Sequence, residues 1–216
     1  MANPSKSERG WSCWSCQAWV GQGAFCPTCQ VIQPVAPHAD YFSLFALPRA
    51  FALDGALLQQ PYQALQRQFH PDRFAQRGAT ERRLSLEQVT HLNRAYQTLA
   101  DPLRRSEYLL EQAGLGAEID EKALNRDPTF LMEVMEQREA LEEVDVQQKG
   151  AMQQLQVLRD DAQGRIAHEV AVLHTLHGVQ EPDWAAIARH NHRLRYHQRF
   201  VQALDQVEEQ IWQQEG

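Results

Sequence analysis

Leu65-Gln66-Arg67-Gln68-Phe69-His70-Pro71-Asp72-Arg73-Phe74 is the stretch on which the fold of this chain turns. Its centre, Phe69-His70-Pro71-Asp72, lies between two helix-like segments. Upstream, Leu53 to Phe69 is rich in Leu, Gln and Ala. Downstream, Leu84 to Leu99 places Val89, Leu92, Tyr96 and Leu99 at intervals of three and four, one apolar helical stripe. Pro71 disfavours helical geometry at His70, so the first helix stops there and the tripeptide projects from a connecting loop. Such a loop offers an imidazole and a carboxylate to a partner without disturbing a core. Residues 62–83 set Arg67, Arg73, Arg77, Arg82 and Arg83 against Asp72 and Glu81, a net of +3, whereas the whole chain carries −7. A basic island in an acidic protein suits an acidic partner surface, bound with electrostatic steering.

At 216 residues and 43% hydrophobic, the chain can bury one good core, or two modest ones with a small satellite. The mean hydropathy of −0.55 and the lack of a long uncharged apolar run give nothing that spans a membrane. Met1 to Gly10 has no hydrophobic region and only Lys6 and Arg9 as basic residues, so no secretory signal or transit peptide is evident. The expected location is the cytoplasm, or an organellar matrix for a mature form. The acidic balance argues against broad nucleic-acid binding. All four cysteines fall within residues 13–29, which leaves none for disulfides in a core.

Those cysteines form two CxxC pairs, Cys13-Trp14-Ser15-Cys16 and Cys26-Pro27-Thr28-Cys29, with nine residues between them. Two such knuckles supply four thiolates in the tetrahedral arrangement that zinc prefers, and four protein ligands make a closed, structural site. So short a segment buries no core, and the metal supplies its folding energy. Gly21 and Gly23 suit the turn between the knuckles. A rubredoxin-like iron site has the same ligands, and a redox dithiol pair is a rival, but the βαβ context of a thioredoxin-like motif is missing. Val31 to His38, with Pro34 and Pro37, reads as a semi-extended linker.

Three segments carry a family resemblance: Asp40-Tyr41-Phe42-Ser43-Leu44-Phe45, the stretch quoted at the outset, and Asn93-Arg94-Ala95-Tyr96-Gln97-Thr98-Leu99. Together they resemble a J-domain, and more narrowly the HscB family of co-chaperones for iron–sulfur cluster biogenesis. The likeness continues through Pro102-Leu103-Arg104-Arg105-Ser106-Glu107-Tyr108-Leu109-Leu110 and Phe130-Leu131-Met132-Glu133. It spans residues 40–145 and runs more weakly to the end. Some relatives carry a Cys-rich extension with CWxC and CPxC knuckles, which residues 13–29 resemble. Helix I is expected from Asp40, an N-cap, through Leu44, with Pro48 ending it. Asp54 caps helix II. Its Leu57, Leu58, Tyr62, Leu65, Phe69 pattern runs through Pro61, so a bend is expected near Leu57–Pro61. The family pattern does not lead to a proline there. Asp101-Pro102 opens a further helix through Ala113, closed by Gly114 or Gly116. In the resemblance that helix joins the J-domain to the C-terminal domain.

Residues 127–215 read as three helices: Pro128 to about Val144, about Gln147 to Leu176, and from the N-cap Asp183 to Trp212. No strand-like alternation appears, so the chain is all-α apart from the metal segment. The expected domains are a four-cysteine module with linker over 1–37, a J-domain with its connecting helix over 38–113, and a client-binding bundle over 114–216. In the first bundle helix Phe130, Val134, Leu141 and Val144 follow core spacing. Met132, Met135, Glu136, Glu139 and Glu143 lie on a neighbouring face, with Leu131 at its margin. Residues 117–147 hold ten acids against Lys122, Arg126 and Arg138, a net of −7. A solvated acidic face whose methionines fill core gaps is the plainer account. Methionine beside acids also makes an adaptable surface for a basic, apolar partner. The resemblance decides for the latter, since it implies that Leu131, Met132, Met135, Glu136, Glu139, Glu143 and Tyr196 hold an IscU-type scaffold. His168, His174, His177, His190, His192 and His197 read as mostly solvated. His168-Glu169 lacks the second histidine of a zincin motif because position 172 is Val.

The sequence therefore points to a non-enzymatic J-domain co-chaperone, a monomer or weak homo-oligomer with a structural zinc. It is expected to bring an IscU-type scaffold to a DnaK/HscA-type ATPase, engaging that partner through His70, Pro71, Asp72, Arg67 and Arg73. The alternatives are a J-domain protein with a different client, and a zinc ribbon that binds nucleic acid. The ribbon calls for basic residues around the knuckles, yet Cys13 to Cys29 contains no Lys or Arg. A dithiol oxidoreductase requires one reactive thiolate.

Overall fold

The computed structural model describes residues 11–21, 23–36, 39–115, 127–148 and 150–215. Glu118, Asp120, Glu121, Lys122 and Arg126 of the acidic segment, and Gly116, lie outside the described residues. The chain divides into two compact units. One comprises residues 1–49 and 53–100, the other residues 50–52 and 101–216.

The first unit opens with two short antiparallel strands, β1 (Trp11–Ser12) and β2 (Trp19–Gly21). They flank the first cysteine knuckle. Gly21 takes φ +68, a left-handed conformation that glycine adopts without strain. Helix α1 (Tyr41–Leu44) is capped by the Asp40 carboxylate, which accepts from the Ser43 amide. It ends before Pro48 is reached, because Ala46 already turns into the left-handed region at φ 54. Helix α2 (Gly55–Phe69) begins at Asp54, whose carboxylate accepts from the Ala56 amide, and remains helical across Pro61. Proline deprives the Leu57 carbonyl of its helical donor. Leu57 is exposed rather than part of the apolar stripe. His70 leaves the helix at ψ 127, as the residue before a proline must, and Pro71–Phe74 close a single 3-10 turn. Helix α3 (Ala79–Ala100) buries Leu84, Ser85, Gln88, Leu92, Ala95 and Leu99. The stripe is thus rotated from the expected one: Val89 and Tyr96 are only half-buried. Tyr96 stacks on Tyr62 of α2 at 4.1 Å, and the Tyr62 hydroxyl donates to Asn93 Oδ1 at 3.0 Å.

The second unit begins with α4 (Pro102–Gln112), capped by Asp101 and closed at Gly114, φ +81. Among the described residues three further helices follow, α5 (Pro128–Glu142), α6 (Ala151–His177) and α7 (Trp184–Glu215). The Asp127 and Asp183 carboxylates cap α5 and α7 through the amides of Thr129, Phe130 and Ala186. Helices α6 and α7 form a long hairpin around Ala151, Leu155, Ala162, Phe200, Leu204 and Ile211. Half-buried Leu141 and Val144, the latter just past the end of α5, pack against that cluster.

The fold is all-α with a small two-stranded sheet in the four-cysteine segment, as the sequence reading expects. Two further expectations need correction. The stretch read as a linker, Val31 to His38, includes Ile32 and Gln33, both wholly buried, because Ile32 pairs with Phe25 in an antiparallel bridge. The C-terminal histidines are not mostly solvated. His197 is buried, His177, His190 and His192 are half-buried, and only His168 and His174 are exposed. His177 stacks on Phe51 at 4.8 Å and shares a 2.9 Å hydrogen bond with the Ser106 hydroxyl. His190 meets the buried Glu169 carboxylate at 2.5 Å.

Candidate metal centre and partner-binding surfaces

The two cysteine knuckles are built alike, thirteen residues apart. The Cys13 amide donates to the Ala18 carbonyl and the Cys26 amide to the Val31 carbonyl. Gln17 and Gln30 donate back to the Cys13 and Cys26 carbonyls, each at a positive φ, 63 and 60. Each loop thereby turns its amides onto sulfur. Ser15 and Cys16 donate to Cys13 Sγ at 3.3 and 3.5 Å. Cys13 Sγ lies 3.6 Å from Cys29 Sγ, Cys16 Sγ lies 3.6 Å from Cys26 Sγ, and all four ligand atoms fall within 4.8 Å of one another.

That geometry fits a metal. Zinc–sulfur bonds of about 2.3 Å at tetrahedral angles put the sulfurs about 3.8 Å apart. The thiols' acidities agree. Burial raises the Cys13 thiol, but amide bonds from Cys16 and Ser15 outweigh it and bring it down to about 6. The Val31 amide opposes any rise at Cys29, yet burial and the neighbouring sulfurs push that thiol up to about 12. Four thiolates cannot all ionise this close together without a cation among them. Cys13, Cys16, Cys26 and Cys29 therefore can hold a metal ion, the four the sequence singles out.

His70, Pro71 and Asp72 sit at the α2–α3 connection. The His70 side chain is 53% exposed and that of Asp72 91%. Their own links are weak: the Asp72 amide donates to His70 Nδ1 at 3.3 Å, and the two side chains approach to 3.6 Å. Phe69 and Phe74, on either side, are buried. The exposed Arg73 donates to the Arg67 carbonyl at 3.4 Å, and Arg67 is exposed as well. The five residues assigned to ATPase contact thus lie within one short segment of the first unit.

On α5, Leu131, Met132 and Met135 are 43%, 63% and 59% exposed, values that rule out a gap-filling role. Glu136, Glu139 and Glu143 are exposed too. Tyr196 is half-buried instead. Its ring stands edge-on to Phe130 at 5.6 Å, and its hydroxyl donates to the Val134 carbonyl of α5 at 3.1 Å. Burial raises its phenol. Sequence reasoning missed what holds this helix. Gln137 is buried and reaches Asp161 at 3.3 Å. Arg193 pairs with the N-cap Asp127 and stands over the Phe130 ring at 5.2 Å, and its bond to Asp127 keeps that carboxyl below the usual range. His190 and Arg193, at i, i+3 on α7, both reach Glu169 across the hairpin, a pairing that leaves no mark in sequence.

A helical hairpin presenting His-Pro-Asp from its connection, followed in sequence by a helical bundle, defines a J-domain co-chaperone. The comparisons narrow the class. The profile of the HSCB C-terminal oligomerisation domain matches residues 126–205. The co-chaperone protein HscB homolog of Vibrio cholerae serotype O1 is 36% identical over 180 residues, covering 80% of this chain and 98% of that protein. The structure of chaperone HscB from Vibrio cholerae superposes with a TM-score of 0.69 at 37% identity, over 80% of this chain and 99% of that one. Human co-chaperone protein HscB gives a TM-score of 0.77 at 31% identity, over 94% and 98%. The chain belongs to the HscB family of J-domain co-chaperones of iron–sulfur cluster biogenesis.

Proposed function

We propose that this protein stimulates ATP hydrolysis by a DnaK/HscA-type chaperone and delivers to it an IscU-type iron–sulfur scaffold, in the cytoplasm or an organellar matrix. The observation that carries the reading is the setting of His70-Pro71-Asp72: polar groups in solvent, held by buried aromatic residues on both sides. Arg67 and Arg73 draw an acidic groove toward the loop. The weak bonds between His70 and Asp72 exchange for stronger ones to the partner. As a member of a family of co-chaperones, the chain leaves the hydrolysis to its partner.

On α5 the exposed Leu131, Met132 and Met135 give the scaffold an apolar patch, while Glu136, Glu139 and Glu143 rim it with negative charge for a basic counterpart. Tyr196 supports the patch from α7. Cys13, Cys16, Cys26 and Cys29 hold a zinc ion. Bound zinc supplies the folding free energy that a short segment without a large core lacks.

Single-turnover hydrolysis by a purified HscA-type chaperone tests the reading. The wild type accelerates it, and His70→Gln abolishes the acceleration while the melting temperature stays within the change expected of a surface substitution, about ±0.5 kcal/mol. A His70→Gln protein that still stimulates, or that melts far earlier, overturns the assignment of the loop.

A further inference from the structure

Residues 11–36 contain no Asp, Glu, Lys, Arg or His, which is unusual for a small exposed module. Their contacts within the first unit are apolar and amide in kind, and two of them lead to the root of the His-Pro-Asp loop. Phe25, the neighbour of Cys26, stacks on Phe69, the residue immediately before His70, with ring centroids 5.8 Å apart and planes 26° from parallel. Phe69 is wholly buried, and its carbonyl accepts from the Ser85 hydroxyl of α3 at 2.6 Å. The second contact runs through Gln33, also wholly buried. Its side-chain amide donates to Cys13 Sγ at 3.3 Å and to the Val31 carbonyl at 3.1 Å. Its own carbonyl accepts from Gln88 Nε2 of α3 at 2.9 Å. The Phe25–Ile32 bridge and the Gln33 amide bond to the Ala24 carbonyl, 2.9 Å, tie the two contacts into one piece. One residue thus touches both a metal-site sulfur and α3, while another touches both the second knuckle and the residue that launches the loop.

We propose that Phe25 and Gln33 are positioning residues for the His-Pro-Asp loop, clamping its root against α3 when the four thiolates are gathered. The proposal rests on the reading of that loop as the ATPase-facing group. Helices α2 and α3 have their own contacts, such as the Tyr62–Tyr96 stack, so release of the clamp leaves them formed. What it frees is the short segment from His70 onward, whose side-chain hydrogen bonds are long, 3.3 and 3.4 Å, and whose backbone bonds close only the turn itself. A loop that holds its binding geometry only part of the time binds with an apparent affinity reduced by that fraction. The complex, once formed, is unchanged. Clamp variants therefore raise the concentration needed for half-maximal ATPase stimulation and keep the maximum, whereas His70→Gln removes the maximum.

Amide hydrogen exchange on the full chain, with metal content measured alongside, tests this without a partner. In zinc-loaded Phe25→Ala the amides of residues 70 and 72–75 exchange about tenfold faster than in wild type, while α5, α6 and α7 keep their rates. Phe25→Tyr, which retains the ring, restores the wild-type rates. Withdrawal of zinc from the wild type by a chelator produces the same local acceleration, and covers the case in which Phe25→Ala itself loses metal. In the ATPase assay Phe25→Ala raises the half-maximal concentration and leaves the maximum intact. Unchanged loop exchange in the alanine variant or after chelation overturns the proposal. So does acceleration spread equally over α5–α7, failure of tyrosine to rescue, or a lost maximum. If the wild type does not stimulate the chaperone, the functional reading fails while the exchange arm still decides the clamp.

Discussion

The loop of the first unit and the α5 face of the second both present side chains to solvent, and on the proposed reading both are functional, yet they are supported in opposite ways. The root of the loop meets groups from distant parts of the sequence: Phe25 and Ser85 at Phe69, with Gln33 bonded to Gln88 of the adjoining α3. The α5 face rests on a helix whose capping bonds are local and whose underside is held by Tyr196, Gln137 and Arg193. A three-residue signal concentrates its function in single atoms and is lost by one substitution. A helix face spreads its function over several side chains and erodes by steps. The charges differ likewise, +3 over residues 62–83 and −7 over residues 117–147, so on the proposed reading neither surface suits the other's partner.

The largest expected effect separates the two supports. Structural zinc sites contribute apparent binding energies on the order of 10 kcal/mol to the fold of small modules. Cys26→Ser should release the metal and unfold residues 11–36, yet leave the far-ultraviolet helical signal nearly unchanged, because the helices lie outside the module. Metal analysis should find one zinc per chain in the wild type. Four free, titratable thiols in protein purified without chelators would defeat the metal assignment, and a collapse of helical signal would show that the module supports far more than the loop.

Next comes the apolar patch. Replacing Leu131, Met135 and Tyr196 together by Ala should weaken scaffold binding severely, since truncating central anchors often costs about 2 kcal/mol or more each. Co-chaperone stimulation measured without scaffold should stay nearly intact, and His70→Gln should spare scaffold affinity. Calorimetry with each purified partner decides it. Loss of both activities on either change would mean that the two surfaces are not separable.

A smaller effect concerns the second unit alone. Burial, reinforced by the Arg105 guanidinium, lowers His177 from 6.5 to about 4. Its neutral ring lies against Phe51 and meets the Ser106 hydroxyl. The native state thus resists a proton that the unfolded state accepts. Stability is therefore full above pH 6.5, falls as the pH drops from 6.5 toward 4, and levels off below that as far as this group is concerned. Magnetic resonance of the ring should show titration near 4, and His177→Phe should flatten the pH dependence of denaturant stability across that window. Titration near 6.5 would place the ring in water.

How much of this was legible in sequence follows from range. Pro71 after His70, and Asp40, Asp54 and Asp183 ahead of their helices, act on neighbours, so their geometry could be read directly. The knuckle spacing fixed its ligands for the same reason. Gln33 looked like linker because proline flanks it. Only the pairing of Phe25 with Ile32 and the reach of Gln88 across 55 residues bury it. His177 and His197 looked solvated because a lone histidine gives no sign in the sequence of a partner on another helix. Leu57 erred the other way: its place in an apolar repeat suggested a core position that α2 turns outward.

The finest distinction is between ring and hydroxyl at Tyr196. The ring packs edge-on against Phe130, and the hydroxyl donates to a carbonyl within α5. Tyr196→Phe keeps the first and removes the second. Its cost to stability should be about 1 kcal/mol, the usual net value of one hydrogen bond, since the Val134 carbonyl is an in-helix acceptor and is not left bare. Scaffold affinity should then fall by less than the tenfold that 1.4 kcal/mol represents. Tyr196→Ala, which removes the support beneath Phe130 as well, should cost clearly more on both counts. If Tyr196→Phe instead lowers affinity as far as Tyr196→Ala while stability is unchanged, the hydroxyl exchanges its bond to Val134 for one to the scaffold. The face would then depend on a single polar atom, as the loop does, and the contrast between the two surfaces would narrow.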